Sequence, residues 1–500
     1  MPTRCLPGDP SVEHLERQAK ELRRRACDGD AEAVSLVAEH HPRPPEPDAL
    51  KLSDAQLVIA RMYRFPSWQR LRRHVETVVE HTRTPHRQPV GEPISGEADL
   101  VDEFLRLSCL TYGGDSFERW ERARELLAEH PELSSATIHT TAATGDVAAA
   151  REALAREPSL AWRPGGPHAW EPLLYLAYSR LNSDRPGHST LDVARLLLEA
   201  GADPNAGFLW EGLTPPFTAL TGAFGGGEDA THQPPHEYAL ELARLLLDAG
   251  ADPNDDQTLY NRHFLPGSEH LELLFEYGLG SGDGGPWHRR LAPLHPSPRE
   301  MLEEQLHFAA ANDFADRVEL LIRHGVDVNA APQHPILRGR SAYETALANG
   351  GTRVAELLAA AGATPPQLDR VDELLVALMR ADRSDVERML AAEAGIAAQA
   401  AARDPARIVR AVELRRPDAV RLMVEVGFDV NHIDRTGVLH MAAFNGDRAM
   451  VDMLCELGAD PTLTDREFDA RPSGWAEHNE HPDLAAYLRD QEERWALRGA

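Results

Sequence analysis

The residues best suited to chemistry in this 500-residue chain lie in one short stretch rich in glycine and histidine. His232 and His236 stand four residues apart beside Glu228, Asp229 and Glu237, and imidazole with carboxylate is a donor set that divalent metals accept. That spacing suits one helix face, but the Gln-Pro-Pro between the histidines prevents a helix, because proline lacks an amide proton and clashes with the preceding turn. We therefore expect neither a bound metal nor a cofactor.

Motifs that mark catalytic sites are missing from the sequence. There is no GxSxG, no phosphate-binding GxxxxGK[ST] and no HExxH. The cysteines Cys5, Cys27, Cys109 and Cys455 are far apart without a CxxC pair, which is typical of a reducing compartment. Carboxylates are abundant, but Asp252 belongs to a repeated Gly-Ala-Asp turn, where such a group satisfies local backbone N–H groups. We expect no enzyme activity.

The charge of the chain limits its partners. With 52 basic and 80 acidic residues the formal net charge is -28, which disfavours nucleic acids and anionic membranes. No run approaches the roughly 18 apolar residues of a membrane span, and the N-terminus lacks an apolar signal core. Only two basic residues are lysines, which together with the high alanine content indicates a GC-rich bacterial genome. These features predict a cytoplasmic bacterial protein.

The acidity is unevenly distributed along the chain. Residues 1–90 contain 15 basic and 13 acidic residues, so nearly all of the negative charge follows them. Six arginines there could form a basic patch: Arg23, Arg24, Arg25, Arg70, Arg72 and Arg73. A solvated helix face is the more common origin of such short runs. Nucleic-acid binding by this segment is therefore a third-ranked hypothesis.

A repeated segment organises the rest of the sequence. LLLEAGADPN ends at Asn205 and LLLDAGADPN ends at Asn254, and weaker copies end at Asn329, Pro366, Asn431 and Thr462. Their glycines are Gly201, Gly250, Gly325, Gly362, Gly427 and Gly458, at spacings of 49, 75, 37, 65 and 31 residues. Degenerate copies near Gly278 and Gly395 fill the two longest gaps, and similar helix ends near Pro131 and Pro158 bring the total to ten units.

The segment DRTGVLHMAAFNGDRAMVDMLCELGADPTLT, residues 434–464, resembles the ankyrin repeat nearly position for position. Partial copies occur at 136–146 and 305–314, and a degenerate eleventh unit at 474–490 would form a C-terminal cap. Apolar residues at helical spacing give each helix one buried face, and helices of about ten residues are stable only when stacked. The resemblance covers residues 98–491 and implies an all-α solenoid of ten to eleven irregular ankyrin repeats.

The predicted domain organisation follows from these boundaries. An N-terminal helical segment of residues 1–81 contains two amphipathic helices, at 12–40 and 53–79. A linker rich in proline and glycine spans 82–97 and precedes the array, and a tail spans 492–500. Insertions at 205–238 and 280–299 interrupt the array, and insertions in solenoids collect on one rim, often the one that binds.

Three histidines occupy the Leu-His position of the repeat. His139, His307 and His440 stand where the imidazole of ankyrin proteins hydrogen-bonds to the backbone. The resemblance therefore implies a structural role for them.

One stretch of the chain is rich in aromatic residues, and four of them, Trp162, Trp170, Phe208 and Trp210, fall in the inter-repeat turns, the fingers of an ankyrin stack. This stretch, 160–224, contains eight aromatic residues in 65 residues, twice the average of the chain. The resemblance implies that fingers and first helices line the partner-binding face. The predicted partner-binding residues are Trp162, Trp170, Tyr175, Phe208, Trp210, Phe217, Trp287, His334, Arg338, His432 and Arg435. The alternative is that these rings fill extra volume in irregular repeats.

The favoured functional hypothesis is reversible binding of another protein whose docking face is basic, because the array is acidic. The second hypothesis is an enzyme, or a small-molecule or metal binder, with its pocket formed by the 205–238 insertion.

Overall fold

The computed structural model describes residues 6–7, 9–91, 96–181, 185–332 and 339–498. The chain divides into two compact units, Met1–Met301 and Leu302–Ala500. The described residues form 29 α-helices and three short β-strands. The expectation of a predominantly helical protein is therefore confirmed.

The N-terminal segment of the first unit contains α1 (Val12–Cys27), α2 (Ala31–His40), α3 (Leu52–Met62) and α4 (Trp68–His81). Two helices were expected here, and each is broken into two. Gly29 has a φ of 80° before the N-cap Asp30, whose carboxylate accepts a hydrogen bond from a first-turn amide. Pro66 and the N-cap Ser67 separate α3 from α4 in the same way. The four helices enclose one apolar core that includes Leu15, Val58, Phe65 and Leu71.

Five helical hairpins follow in the first unit. They are α5 (Glu97–Ser108) with α6 (Phe117–Glu129), α8 (Ile138–Thr144) with α9 (Val147–Arg156), α10 (Pro172–Tyr178) with α11 (Thr190–Glu199), α12 (Ala219–Phe224) with α13 (Ala239–Asp248), and α14 (Asp256–His263) with α15 (Glu269–Glu276). The short helices α7 (Leu133–Ala136) and α16 (Gly285–Leu291) lie between hairpins in the sequence.

The second unit contains six hairpins, the first of which begins just before its boundary. They are α17 (Pro298–Ala311) with α18 (Ala315–Arg323), α19 (Ala342–Ala348) with α20 (Thr352–Ala360), α21 (Arg370–Met379) with α22 (Arg383–Ala392), α24 (Arg407–Glu413) with α25 (Pro417–Glu425), α26 (Val438–Phe444) with α27 (Arg448–Glu456), and α28 (Pro472–His478) with α29 (Pro482–Arg498). Helix α23 (Ile396–Arg403) is an addition between two of them. One apolar core extends from Val371 on α21 to Leu488 on α29.

The glycines that measure the repeat lie at helix ends, as the sequence predicts. Gly201, Gly250 and Gly458 have φ values of 102°, 98° and 91°. This left-handed conformation ends a helix and costs glycine little because it has no Cβ.

Asparagine side chains connect successive repeats within each unit. The Asn205 amide donates to the Gly250 carbonyl at 3.1 Å and accepts from the Asp252 N–H at 2.9 Å. The same pair of bonds joins Asn431 to Gly458 and Asp460 in the second unit. Equivalent contacts are made by Asn254 and Asn329. Each amide thus satisfies both a carbonyl and an N–H of the following turn, which is contact between nearest neighbours.

Three arginines in the second unit reach beyond the adjacent hairpin. Arg407 donates to the carbonyl of Ala348 at 2.6 Å, and Arg410 to that of Ala311 at 2.5 Å. Arg416 pairs with Asp313 at 2.7 Å. These guanidinium groups lie at the C-terminal ends of α19 and α17, where unpaired carbonyls favour a positive charge. The second unit therefore has cross-links that a strictly nearest-neighbour array lacks.

A small sheet in the first unit was not expected in an all-α chain. It consists of β1 (Thr82–Arg83), β2 (Gly207–Trp210) and β3 (Phe217–Thr218), in the order β1-β2-β3. β1 runs parallel to β2, with Arg83 opposite Trp210, and β2 runs antiparallel to β3. The first part of the expected linker is thus packed against the first insertion.

Candidate protein-interaction site

Five of the predicted partner-binding aromatic residues are buried in the first unit. The side chains of Trp170, Tyr175, Phe208, Phe217 and Trp287 are all less than a tenth exposed. Their prediction as partner contacts is wrong for this structure, because other side chains of the same unit cover the rings. They fill the space between the fingers and the helices, which was the alternative interpretation of the aromatic-rich stretch.

The buried rings form one stacked cluster. Trp170 stacks on Phe208 with centroids 4.9 Å apart, and Phe208 stacks on Phe217 at 5.6 Å. The Tyr175 hydroxyl donates to the Gly165 carbonyl and accepts from the His168 N–H, both at 3.0 Å. The cluster therefore holds the finger of residues 163–171 from its inner side.

His168 lies inside this cluster and is a pH-sensitive element of it. Neither ring nitrogen has a hydrogen-bond partner among the described residues, and burial lowers its pKa to about 3. In the unfolded chain the pKa of His168 keeps its ordinary value near 6.5. Above pH 6.5 the ring is therefore neutral in both states, and its contribution to the free energy of unfolding is complete. That contribution is lost progressively as the pH falls from 6.5 towards 3.

We expect His168→Phe to reduce the acid sensitivity of the protein. Between pH 7 and pH 5 the wild-type histidine should lose about 2 kcal/mol of its contribution to the free energy of unfolding, since the unfolded state binds a proton that the folded state does not. Phenylalanine keeps the ring packing and cannot be protonated. Urea unfolding at the two pH values measures the difference, and an equal loss in wild type and variant would contradict the prediction.

Trp210 and Trp162 differ from the buried rings. The Trp210 indole N–H donates to the Thr111 carbonyl at 3.0 Å, and the His86 ring stacks on the indole at a centroid distance of 4.3 Å. Trp210 is therefore half-buried and covered on one face by the chain itself. Trp162, in contrast, is 45% exposed at the end of a short 3-10 helix, Pro158–Trp162. It is available to a partner.

The remaining predicted residues belong to the second unit. His334 and Arg338 lie outside the described residues. His432 is half-buried, and the Arg435 side chain is 74% exposed. Both precede α26, and the next turn of the same kind is formed by residues 465–470.

Residues 465–470, which we call the Phe468 finger, are held together by one carboxylate. Asp465 accepts hydrogen bonds from the backbone N–H groups of Glu467 and Phe468 at 2.7 Å and of Ala470 at 3.1 Å. The Trp475 indole N–H donates to the same carboxylate at 2.9 Å. Partial burial opposes ionisation, but these donors outweigh it and lower the pKa of Asp465. The turn is thus formed before any partner arrives.

The finger presents one apolar side chain to solvent. Phe468 is 67% exposed, and its ring touches only the edge of Trp475 among described aromatic rings, at 5.8 Å. Arg435 on the preceding finger pairs with Glu467 at 2.6 Å, and the Arg466 N–H donates to the Arg435 carbonyl at 3.0 Å. Two neighbouring fingers therefore form one connected surface. Asp465 was not among the predicted residues, and its signal in the sequence is a carboxylate at the start of the turn.

The 205–238 insertion does not form a pocket for a small molecule in this structure. The cleft beside it has a volume of about 20 Å³, which is room for about one water molecule. It is lined by Pro204, Thr218, Asp252, Asp255, Trp287 and His295, among others. Burial raises the pKa of Asp255, and its carboxylate accepts hydrogen bonds from the Thr218 and Thr221 hydroxyls. Asp255 is thus engaged in structure.

The glycine and histidine stretch of the insertion is closely packed. A Cβ on Gly225 or Gly226 would overlap backbone oxygens of Pro234 or Asn261. His236 accepts a hydrogen bond from the Tyr238 N–H at 3.1 Å, and burial lowers its pKa to about 3. His232 contacts Asp229 at 2.9 Å. Both imidazoles therefore have partners within the chain, and the triple glycine serves close backbone packing.

The histidines of the Leu-His position bond to the backbone of the following finger, as the resemblance implies. His139 contacts the Arg163 carbonyl, His307 that of Ala330 and His440 that of Ala470, at 3.0 to 3.1 Å. Burial lowers the pKa of each ring, which favours its neutral form. Asp252 likewise accepts from the Asn254 N–H, which confirms its local role.

Three of the six arginines proposed as a basic patch in the N-terminal segment pair with acidic neighbours, and Arg23 donates to the Leu50 carbonyl at 3.1 Å. Arg24 pairs with Glu21 and Asp28, and Arg25 with Asp30 and Glu32. Arg72 pairs with Glu76. This pattern is typical of a solvated helix face and gives no support to a nucleic-acid site.

The ankyrin repeat family model matches the chain at residues 306–331 and 438–466. The second match contains α26, α27 and the first residues of the Phe468 finger. No curated protein matches the chain. The two ankyrin repeats are thereby shown, one at the start of the second unit and one near its end. Among the described helices, none is long and apolar enough to cross a membrane.

Proposed function

We propose that this chain is a protein-interaction scaffold of ten to eleven ankyrin-like repeats, acting in the bacterial cytoplasm without chemistry of its own. Ankyrin repeats in general are protein-interaction modules. The observation that carries the proposal is the exposed Phe468 on a preformed finger that begins within a matched ankyrin repeat.

The geometry of the finger favours binding energetically. Ordering a flexible loop on association costs free energy, and a turn already fixed by four hydrogen bonds to Asp465 avoids that cost. Aromatic side chains that enter a pocket of the partner supply a large share of interface energy. Phe468 is such an anchor, and its neighbours in the sequence, Glu467 and Asp469, are acidic.

The charge of the second unit indicates the partner's docking face. Residues 302–500 contain 22 arginines, no lysine and 34 acidic residues. A basic partner surface would complement this excess, and its association would slow as salt is added. The partner we propose is therefore a protein with a basic face surrounding an apolar pocket.

The test is capture of proteins from native lysate by the full chain and by Phe468→Ala. We expect at least a tenfold loss of the specifically captured protein, confirmed with that protein once purified, because hot-spot truncations cost on the order of 2 kcal/mol. Folding should be unaffected because Phe468 is exposed. Phe264→Ala, at another exposed phenylalanine in the first unit, is the matched control. Equal capture by all three proteins would exclude the finger as the binding site.

A further inference from the structure

The N-terminal part of the expected linker lies along the edge of β2. Arg83 pairs with Trp210 in the parallel ladder, and the Glu211 N–H donates to the Arg83 carbonyl at 3.0 Å. The Arg83 guanidinium also reaches the Ala169 carbonyl at 3.4 Å, on the finger of residues 163–171. Thr82 and Arg83 thus add a short third strand to a two-stranded hairpin, and a 3-10 turn, Pro85–Arg87, follows them. Addition of a strand to a sheet edge is a common mode of peptide recognition.

The contacts of this segment are complementary in charge. His86 stacks on the Trp210 ring and lies 2.9 Å from a Glu211 carboxylate oxygen. Arg87 forms an ion pair with the same carboxylate. Residues 82–87 carry three basic side chains and no acidic one, whereas the surface beneath them offers Glu211 and an aromatic face. This surface therefore fits a basic segment that begins as a short strand and continues as a turn.

The attachment of the segment is short. β1 contains two residues, and such a strand has little stability of its own. Val79 on one side and Val90 on the other are 60% and 49% exposed. The apolar contact of Val78 with Leu209, Trp287 and Leu291 anchors the preceding end, at the C-terminal part of α4. Beyond the segment the Gly91 N–H donates to a Glu103 carboxylate oxygen at 2.7 Å, and within it Pro85 is buried. No residue of 82–87 belongs to the apolar core of the N-terminal helices, so the segment can separate from β2 without disrupting that core.

We propose that the β2 edge, with Trp210 and Glu211, is a binding site for a basic peptide of a partner protein, and that residues 82–87 occupy it as an internal ligand. The inference rests on the proposed function in one respect, that the partner is a protein. It concerns a different site from the Phe468 finger. A partner must displace the internal segment, so its apparent affinity equals its intrinsic affinity multiplied by the open fraction.

The proposal is tested with a fluorescent peptide of residues 78–91 added to the full-length protein. The peptide is added to wild type and to the triple variant Arg83→Ala, His86→Ala, Arg87→Ala. In this variant the internal ligand has lost its side-chain contacts. We expect this variant to bind the peptide at least tenfold more tightly than wild type does, and more weakly as salt increases.

Substitutions in the site define the specificity of that binding. Adding Glu211→Gln to the triple variant should weaken peptide binding about tenfold, because two basic groups lose their counter-ion. Glu241→Gln, an exposed acidic position on α13, is the matched control and should have no effect. Equal peptide binding by wild type and the triple variant, or no effect of Glu211→Gln, would overturn the proposal. The proposal would also be overturned if the triple variant formed dimers that the peptide does not dissociate. The β2 edge would then bind a second copy of the chain.

Hydrogen exchange of the unmodified protein provides a test that does not depend on variants folding. The proposal requires the Glu211 N–H to exchange through local opening, at least a hundredfold faster than core amides of α10. If this amide exchanged only when the core unfolds, the segment would be a fixed part of the fold and the proposal would be wrong. Loss of Phe468-dependent capture would not affect either measurement, so the two proposals fail separately.

Discussion

Trp170→Ala is expected to lower the free energy of unfolding of the first unit by about 3–5 kcal/mol, the usual cost of truncating a buried tryptophan. Trp170 is 1% exposed and stacks against Phe208, with Tyr175 and Tyr178 at centroid distances of 5.3 and 5.0 Å. Removing the indole leaves a cavity that these rings can close only in part. Urea unfolding of the full chain, monitored by circular dichroism, measures the loss.

Trp162→Ala is the control for this prediction. Its side chain is 45% exposed, so its loss should change the free energy of unfolding by less than about 1 kcal/mol. Similar stability of the two variants would show that Trp170 is not part of the core. A Trp170 variant that kept wild-type stability but lost partner capture would restore the expectation that this residue is a surface anchor.

Arg180→Met is expected to destabilise the first unit by about 3–5 kcal/mol, because it removes a buried guanidinium from its hydrogen-bond acceptors. Arg180 is 6% exposed and donates to the carbonyls of Ser179, Gly222 and Pro234 at 2.7 to 2.8 Å, and to that of Ala177 at 3.1 Å. Burial lowers its pKa to about 10, so the group remains charged at neutral pH. Methionine retains the apolar volume but leaves four carbonyls without this donor.

The matched control is Arg195→Met on α11. Arg195 is half-exposed and pairs with Asp192, and an exposed pair of this kind contributes little. Its substitution should change the free energy of unfolding by about 0.5 kcal/mol or less. If Arg180→Met were equally mild, water would have to replace the guanidinium at these carbonyls, and the residue would not be a structural clamp.

The repeat boundaries could be predicted from the sequence because the interactions that set them are local. A glycine that ends a helix and a carboxylate that accepts from the next backbone amides act within a few residues of their own position. Gly458 and Asp252 behave as their motifs predict. His440 also does so, although its acceptor at Ala470 lies 30 residues away, because the repeat carries that acceptor at a fixed distance.

The partner-binding residues were harder to predict for a physical reason. The repeat pattern places Trp170 in a turn, but it does not show which element packs against that turn. Trp170 is buried by Phe208, 38 residues later, whereas the Phe468 finger is supported on one side by Trp475 and open on the other. The pairing of Arg83 with Trp210 spans an irregular insertion, and a two-residue strand has no recognisable alternation.

The asparagine bonds between repeats give the array within each unit a direction. Asn205, Asn254, Asn329 and Asn431 each bond to the turn that follows, so the acceptor and donor always lie on the C-terminal neighbour. At the next equivalent position the residue is Thr462, whose hydroxyl donates to Asp460 in its own turn at 2.7 Å. A consensus repeat ending in asparagine could therefore be inserted before residue 438 with its junctions complete, whereas extension beyond residue 462 would first require Thr462→Asn.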